Sequence, residues 1–101
     1  MHDIYIFYRP PKDPSKFDYH YENIHVPLVQ QLPELQNFTW GKVQGDDDAE
    51  YYLIACLTYE NQTAAVQSLA SEPGEASVQD LDNFAQAGVS VLHVPRLGGA
   101  Q

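Results

Sequence analysis

The chain has 101 residues, 44% of them hydrophobic, which is enough for a packed core and excludes a disordered polymer. Five Lys and Arg stand against fourteen Asp and Glu, a formal charge of −9. That balance argues against nucleic acid and anionic membrane as partners, since both are bound through basic patches.

The length fits a single domain over residues 1–101. Cys56 is the one cysteine and lies in an apolar run, so it reads as a small buried residue in a reducing compartment. No basic segment leads into an apolar stretch at Met1, and no run reaches the roughly 18 apolar residues of a membrane span. A cytoplasmic protein is expected.

Taken in order, Asp3 to Tyr8 is rich in β-branched and aromatic residues and reads as a strand. Pro10 and Pro11 stop it. Asp13 followed by Pro14 signals a helix start, and the helix runs to about Leu32, before Pro33. Phe17, Tyr21, Ile24 and Leu28 form its apolar stripe, with His25 beside it. Pro27 cannot donate to the carbonyl of Asn23 and crowds it, so the helix is expected to kink or loosen there. Leu35 to Val43 is the second strand, with Phe38 and Trp40 on one face. Gln44 to Glu50 is a solvated acidic turn without the alternating spacing of a calcium loop. Tyr51 to Tyr59 is the third strand. Asn61 caps a helix through Ala70, and Glu72-Pro73-Gly74 breaks it. A further short helix, with Ser71 as a cap, carries Val78, Leu81 and Phe84. Val89 to Val94 is the last strand, and Pro95 to Gln101 a loose tail. The order strand, helix, strand, strand, helix, strand predicts an α+β fold, the ferredoxin-like split βαβ with a four-stranded antiparallel sheet.

A sheet with helices on one side should alternate apolar and polar residues. Here Ile4, Ile6 and Tyr8 oppose Tyr5 and Phe7, and Leu53, Ala55 and Leu57 oppose Tyr52, Ile54 and Cys56. Both faces call for burial, and one chain supplies helices for one. A second copy packed sheet to sheet, as a homodimer, is the expected cover.

His25 is the candidate acid/base, because its ring titrates near neutral pH. The plainer reading is a structural histidine bonded to a backbone carbonyl. His93 on the last strand, with Tyr5, Phe7, Trp40 and Tyr52, would line an aromatic cavity, and Tyr21 would hold a developing oxyanion. His2 and His20 read as exposed. The four histidines show no metal-ligand spacing, His20 and His25 being five apart, so no metal is expected. No phosphate-binding glycine loop or dinucleotide fingerprint is present, so no cofactor is expected.

Phe17-Asp18 with Tyr21, the segment His25-Val26-Pro27-Leu28, and Asp80-Leu81-Asp82-Asn83-Phe84 leading to Gly88 together resemble the EthD family, named for ethyl tert-butyl ether degradation. The resemblance covers nearly the whole chain. Ala87-Gly88 stands where many relatives carry paired glycines. The resemblance implies a dimeric α+β barrel, in which two ferredoxin-like sheets face each other around a cavity. It also implies a hydrophobic or aromatic small-molecule ligand, with cyclisation, dehydration, decarboxylation or oxidation as the chemistry. A non-catalytic carrier and a haem-handling, monooxygenase-like protein are the alternatives it leaves.

Overall fold

Four strands, β1 (His2–Tyr8), β2 (Asn37–Lys42), β3 (Leu53–Tyr59) and β4 (Val89–Pro95), form one antiparallel sheet in the order β2-β3-β1-β4 in the computed structural model. The structure describes residues 1–46 and 48–99; Asp47 of the expected acidic turn and Ala100 and Gln101 of the expected tail lie outside them. Between β1 and β2 come α1 (Pro14–His20), a π-helical turn (Tyr21–His25) and α2 (Val26–Val29). Between β3 and β4 come α3 (Gln62–Ala70) and α4 (Glu72–Phe84). This is the α+β, ferredoxin-like arrangement. Strands β2 and β3 each begin two residues later than the sequence suggests, and β4 runs one residue further, to Pro95.

Local chemistry accounts for the helix starts. Asp13 Oδ1 accepts from the Lys16 amide at 3.2 Å, with Pro14 in the first turn of α1. Asn61 Oδ1 accepts from the Ala64 amide at 2.8 Å. Ser71 closes α3 and caps α4, its Oγ accepting from Gly74 at 3.3 Å. Glu72-Pro73-Gly74 therefore opens a helix as well as ending one. Gly74 is required by contact: a Cβ there would enter the carbonyl oxygens of Ser68 and Leu69 on α3.

The core lies between sheet and helices. Ile4, Tyr8, Leu53, Ala55, Leu57 and Tyr59 meet Phe17, Tyr21, Val26, Val29, Ala65 and Phe84, all buried. On the opposite face, Tyr5, Phe7, Ile54 and Cys56 are half-buried, and Leu92 and Val94 are exposed. The two-sided apolar pattern of the strands is real, and the helix-free face is open in the single chain.

The long helix differs from the expected one in phase. The Val26 amide donates to Tyr21 O, five residues back, so the turn before Pro27 holds one residue more than an α-turn. Phe17 and Tyr21 face inward as expected, but Ile24 is 43% exposed and His25 is buried at 3%; Val29, not Leu28, fills the next inward position. Every inward position after the π-turn is shifted by one. The loosening expected at Pro27 takes this form. In α4 the inward residues are Gly74, Ser77, Asp80 and Phe84, while Val78 points out at 54%. The close α3–α4 approach selects small residues, and Asp80 is buried because it has partners.

Candidate active site

The π-turn decides the site. On an α-helix, residues five apart lie about 140° from each other around the axis. Here His20 and His25, five apart, reach the same carboxylate. The His20 Nε2–H donates to Asp80 Oδ1 at 2.8 Å, and the His25 Nδ1–H donates to Asp80 Oδ2 at 3.0 Å. Asn83 Nδ2, one turn along α4, donates to Asp80 Oδ1 at 3.0 Å. Burial by itself raises the Asp80 carboxyl, but the bonds from Asn83, His20 and His25 outweigh it and hold its pKa below the usual value. Asp80 is therefore an ionised acceptor, and both ring nitrogens that face it carry hydrogen. The His25 partner is a carboxylate and not the backbone carbonyl of the structural reading.

That tautomer leaves His25 Nε2 with a free lone pair. It faces the Tyr8 hydroxyl at 3.5 Å, at the outer limit of a hydrogen bond. Burial pushes the His25 pKa down, against the opposing pull of Asp80, so the ring is neutral at pH 7. Burial also pushes the Tyr8 and Tyr21 phenols well up, so both keep their protons. The Tyr21 hydroxyl is buried and makes no hydrogen bond within 3.5 Å among the described residues; the group that interacts with it at longer range is the Tyr8 hydroxyl. An unpaired buried hydroxyl is costly and is common where a ligand supplies the partner.

Aromatic rings enclose this cluster. Phe84 lies 4.8 Å from the His25 ring, Tyr21 5.5 Å from it, and Tyr8 5.5 Å from Tyr21, centroid to centroid. Within this shell His25 Nε2 is directed at the Tyr8 hydroxyl. Two hollows flank the cluster. One, of about 160 Å³, opens onto Tyr21, Trp40 and Lys42; the other, of about 470 Å³, opens onto His20, Phe17 and Phe84. Asp18 takes bonds from Tyr52 Oη at 2.9 Å and from Lys42 Nζ, tying α1 to the sheet edge beside the first hollow.

The structure brings together His25, Tyr21, Trp40 and Tyr52 on the helix side of the sheet; Trp40 stands 6.0 Å from Tyr21 and Tyr52 5.4 Å from Phe17. It does not bring Tyr5, Phe7 or His93 to them. Tyr5 pairs with Cys56 and Leu92, and Phe7 with Ile54 and Ser90, so both occupy the open face. His93 pairs with Ile4, four residues or roughly 13 Å along β1 from Tyr8. There its Nδ1 meets His2 Nε2 at 2.9 Å. The shared cavity expected for all these residues is thus split between two faces, because alternation along β1 sends neighbours to opposite sides. Expected exposures also change: His2 is buried, and the His20 side chain is only 20% exposed. Asp80 was missed as a site residue. Its signal was a lone acid on the inward side of α4, hidden because Val78 and Leu81 suggested a different face.

Residues 9–88 match the EthD domain. An uncharacterized 11.0 kDa protein from the thcB-thcC intergenic region of Rhodococcus erythropolis is 40% identical over 94 residues, 91% of each chain. An ethyl tert-butyl ether degradation (EthD) family protein from Bacillus halodurans has a similar structure, with a TM-score of 0.90 and 25% identity over 96% of this chain and 99% of that one. SnoaB, a cofactor-independent oxygenase from Streptomyces nogalater, shares the fold at a TM-score of 0.67 and 11% identity, over 97% and 93% of the two chains.

Proposed function

The chain belongs to the EthD family, and on that premise we propose that it binds a hydrophobic or aromatic small molecule and moves a proton on it, with His25 as the acid/base. The observation that carries this reading is the buried Asp80–His25 pair beside a Tyr21 hydroxyl that makes no close hydrogen bond among the described residues. His25 Nε2 accepts a proton from a carbon acid or phenol of the ligand. Asp80 then faces a charged imidazolium, which favours the transfer. Tyr21, still protonated, donates to the oxyanion that forms, and Tyr8 orients the ring. Cyclisation, dehydration and cofactor-free oxidation share this first step, while decarboxylation runs the transfer the other way, the imidazolium giving its proton to the carbanion left when carbon dioxide departs; no resident cofactor or metal is part of it. Trp40 and Tyr52 frame the ligand on the helix side.

The protein works as one domain, residues 1–101, in a cytoplasmic homodimer. A second copy covers Tyr5, Phe7, Ile54, Leu92 and Val94, whose apolar surface is otherwise left to water. These residues then belong to the dimer core, and the two sheets face each other as in an α+β barrel. Lone Cys56 supports a reducing location, and among the described residues no helix is long and apolar enough to cross a membrane.

Base-promoted ring opening of 5-nitrobenzisoxazole tests the chemistry, since it needs only removal of a carbon-bound proton and releases a coloured phenolate. His25→Asn is expected to lower the rate about 100-fold or more, the scale of a positioned general base. An unchanged rate refutes the assignment. A wild-type protein no faster than free imidazole favours the non-catalytic carrier instead.

A further inference from the structure

We propose that the larger hollow, on the His20 side of the cluster, is a binding site for an aromatic carboxylate. It lies in the helix layer, where Pro11, Lys12 and Lys16 face Asn83, Phe84 and Ala87. Its volume of about 470 Å³ is that of a small-ligand site. The floor is aromatic: Phe17 and Phe84 are buried beneath it, 5.2 Å apart, and the His20 ring stacks on Phe84 at 5.0 Å and 18°. A flat apolar ring fits such a floor.

The charge on the rim is the telling feature. Of the five basic residues, Arg9 pairs with Glu50, Lys42 with Asp18 and Arg96 with Asp3. Lys12 and Lys16 have no acidic partner within ion-pair distance among the described residues, although acids outnumber bases fourteen to five. Both line this hollow. Two uncompensated ammonium groups above an aromatic floor suit a carboxylate on a ring, each contributing a charge-assisted bond. The net charge of −9 repels an anion at a distance. Salt screens that field beyond roughly 8 Å, so the local pair decides binding. The other charged side chain in the wall is Asp13, whose Oδ1 is turned to the Lys16 amide. It opposes the anion and sets the sign of one test below.

His20 connects this site to the interior. Its Nε2 is bonded to Asp80, which also holds His25, so a ligand on the His20 ring touches one end of the buried chain of hydrogen bonds. The site does not depend on proton transfer by His25: the residues that recognise the anion are on the surface, and the base is buried.

Fluorescence titration with 2-naphthoate, with 2-naphthol as the uncharged control, tests the proposal, and ring-proton NMR of His20 reports the location. Naphthoate is expected to bind more tightly than naphthol and to shift the His20 resonances. Its binding is expected to weaken with added salt. Lys12→Gln/Lys16→Gln removes exposed charges only, so the fold is kept, and naphthoate affinity is expected to fall about three- to tenfold while naphthol affinity stays. Asp13→Asn keeps the helix cap and is expected to tighten naphthoate binding. Equal affinity for the two probes, an unaltered affinity in the double-lysine variant, or binding without a His20 shift overturns the site. If His25→Asn abolishes ring opening while naphthoate shows no preference, the acid/base reading stands and this site falls. The reverse pattern separates them the other way.

Discussion

Replacing Tyr21 by Phe removes one hydroxyl and leaves the ring in place. That ring is 1% exposed and sits within 5.5 to 6.0 Å of Tyr8, Phe17, His25, Trp40 and Phe84, centroid to centroid. Phenylalanine keeps all of those contacts. The hydroxyl it removes is buried and makes no close hydrogen bond among the described residues, only a longer interaction with the Tyr8 hydroxyl, and a fully unpaired buried hydroxyl costs about 1–3 kcal/mol. Part of that is returned because the vacated oxygen volume stays unfilled. The unliganded variant is therefore expected to be more stable by about 1 kcal/mol, equivalent to a rise of roughly 4 °C in Tm for a chain of this size. Urea unfolding at fixed protein concentration checks this; the concentration matters because a dimer's stability depends on it. The same variant is expected to open 5-nitrobenzisoxazole more slowly, since the donor to the oxyanion is gone. Greater stability with lower activity is the signature of a group held for a ligand. A Tyr21→Phe variant that unfolds about 1 kcal/mol more easily would show that the hydroxyl is bonded in the empty protein, and the spare-donor argument would fail.

Asp80→Asn keeps the shape but cannot accept from both His20 and His25 as a charge does, so it is expected to lose most of the ring-opening rate and to lower stability, measured by parallel kinetics and unfolding; wild-type behaviour in both rejects the role given to Asp80. Stability should also follow pH with a defined sign. Burial holds the folded His25 pKa below 6.5, so below about pH 6.5 the unfolded chain binds the extra proton and stability falls as the pH drops toward the folded value. Asp80 and Asp3, whose carboxyls lie below 3.8 when folded, add a second loss as the pH falls through that region. A pH series of unfolding midpoints checks both, and the upper limb should flatten in His25→Asn. Gly74→Ala is expected to cost about 1–3 kcal/mol, because the added methyl has only backbone carbonyls of α3 to displace; a neutral result in a melting experiment counts against the close α3–α4 contact. For the homodimer, light scattering is expected to give twice the chain mass at micromolar concentration, and Phe7→Asp to halve it.

The element order and the side taken by the residues within β1 and β3 were legible in the residues themselves, but Tyr52, expected opposite Leu53, lies ahead of β3 and turns to the helix side against Phe17 and Asp18. Asp13, Asn61 and Ser71 mark helix starts because a cap acts within three or four residues. Alternation in β1 and β3 assigns Ile4, Tyr8 and Leu57 to one face and Tyr5, Phe7 and Cys56 to the other because a pleat has period two. His25 was also legible, as a titratable ring ahead of a proline. What the chain alone did not disclose was its partner. Asp80 lies 55 residues further on, and nothing near His25 indicates that the acid turns inward. Nor did spacing reveal that His20 joins them, since a five-residue interval looks wrong until a π-turn changes the phase. Pro27 announced a disturbance in the ladder but not its type, because an α-kink and an inserted residue both accommodate a missing N–H. Which of the two forms is chosen depends on how Tyr21, His25 and Val29 meet the sheet and α4 together. That is a property of packed surfaces and not of neighbouring residues.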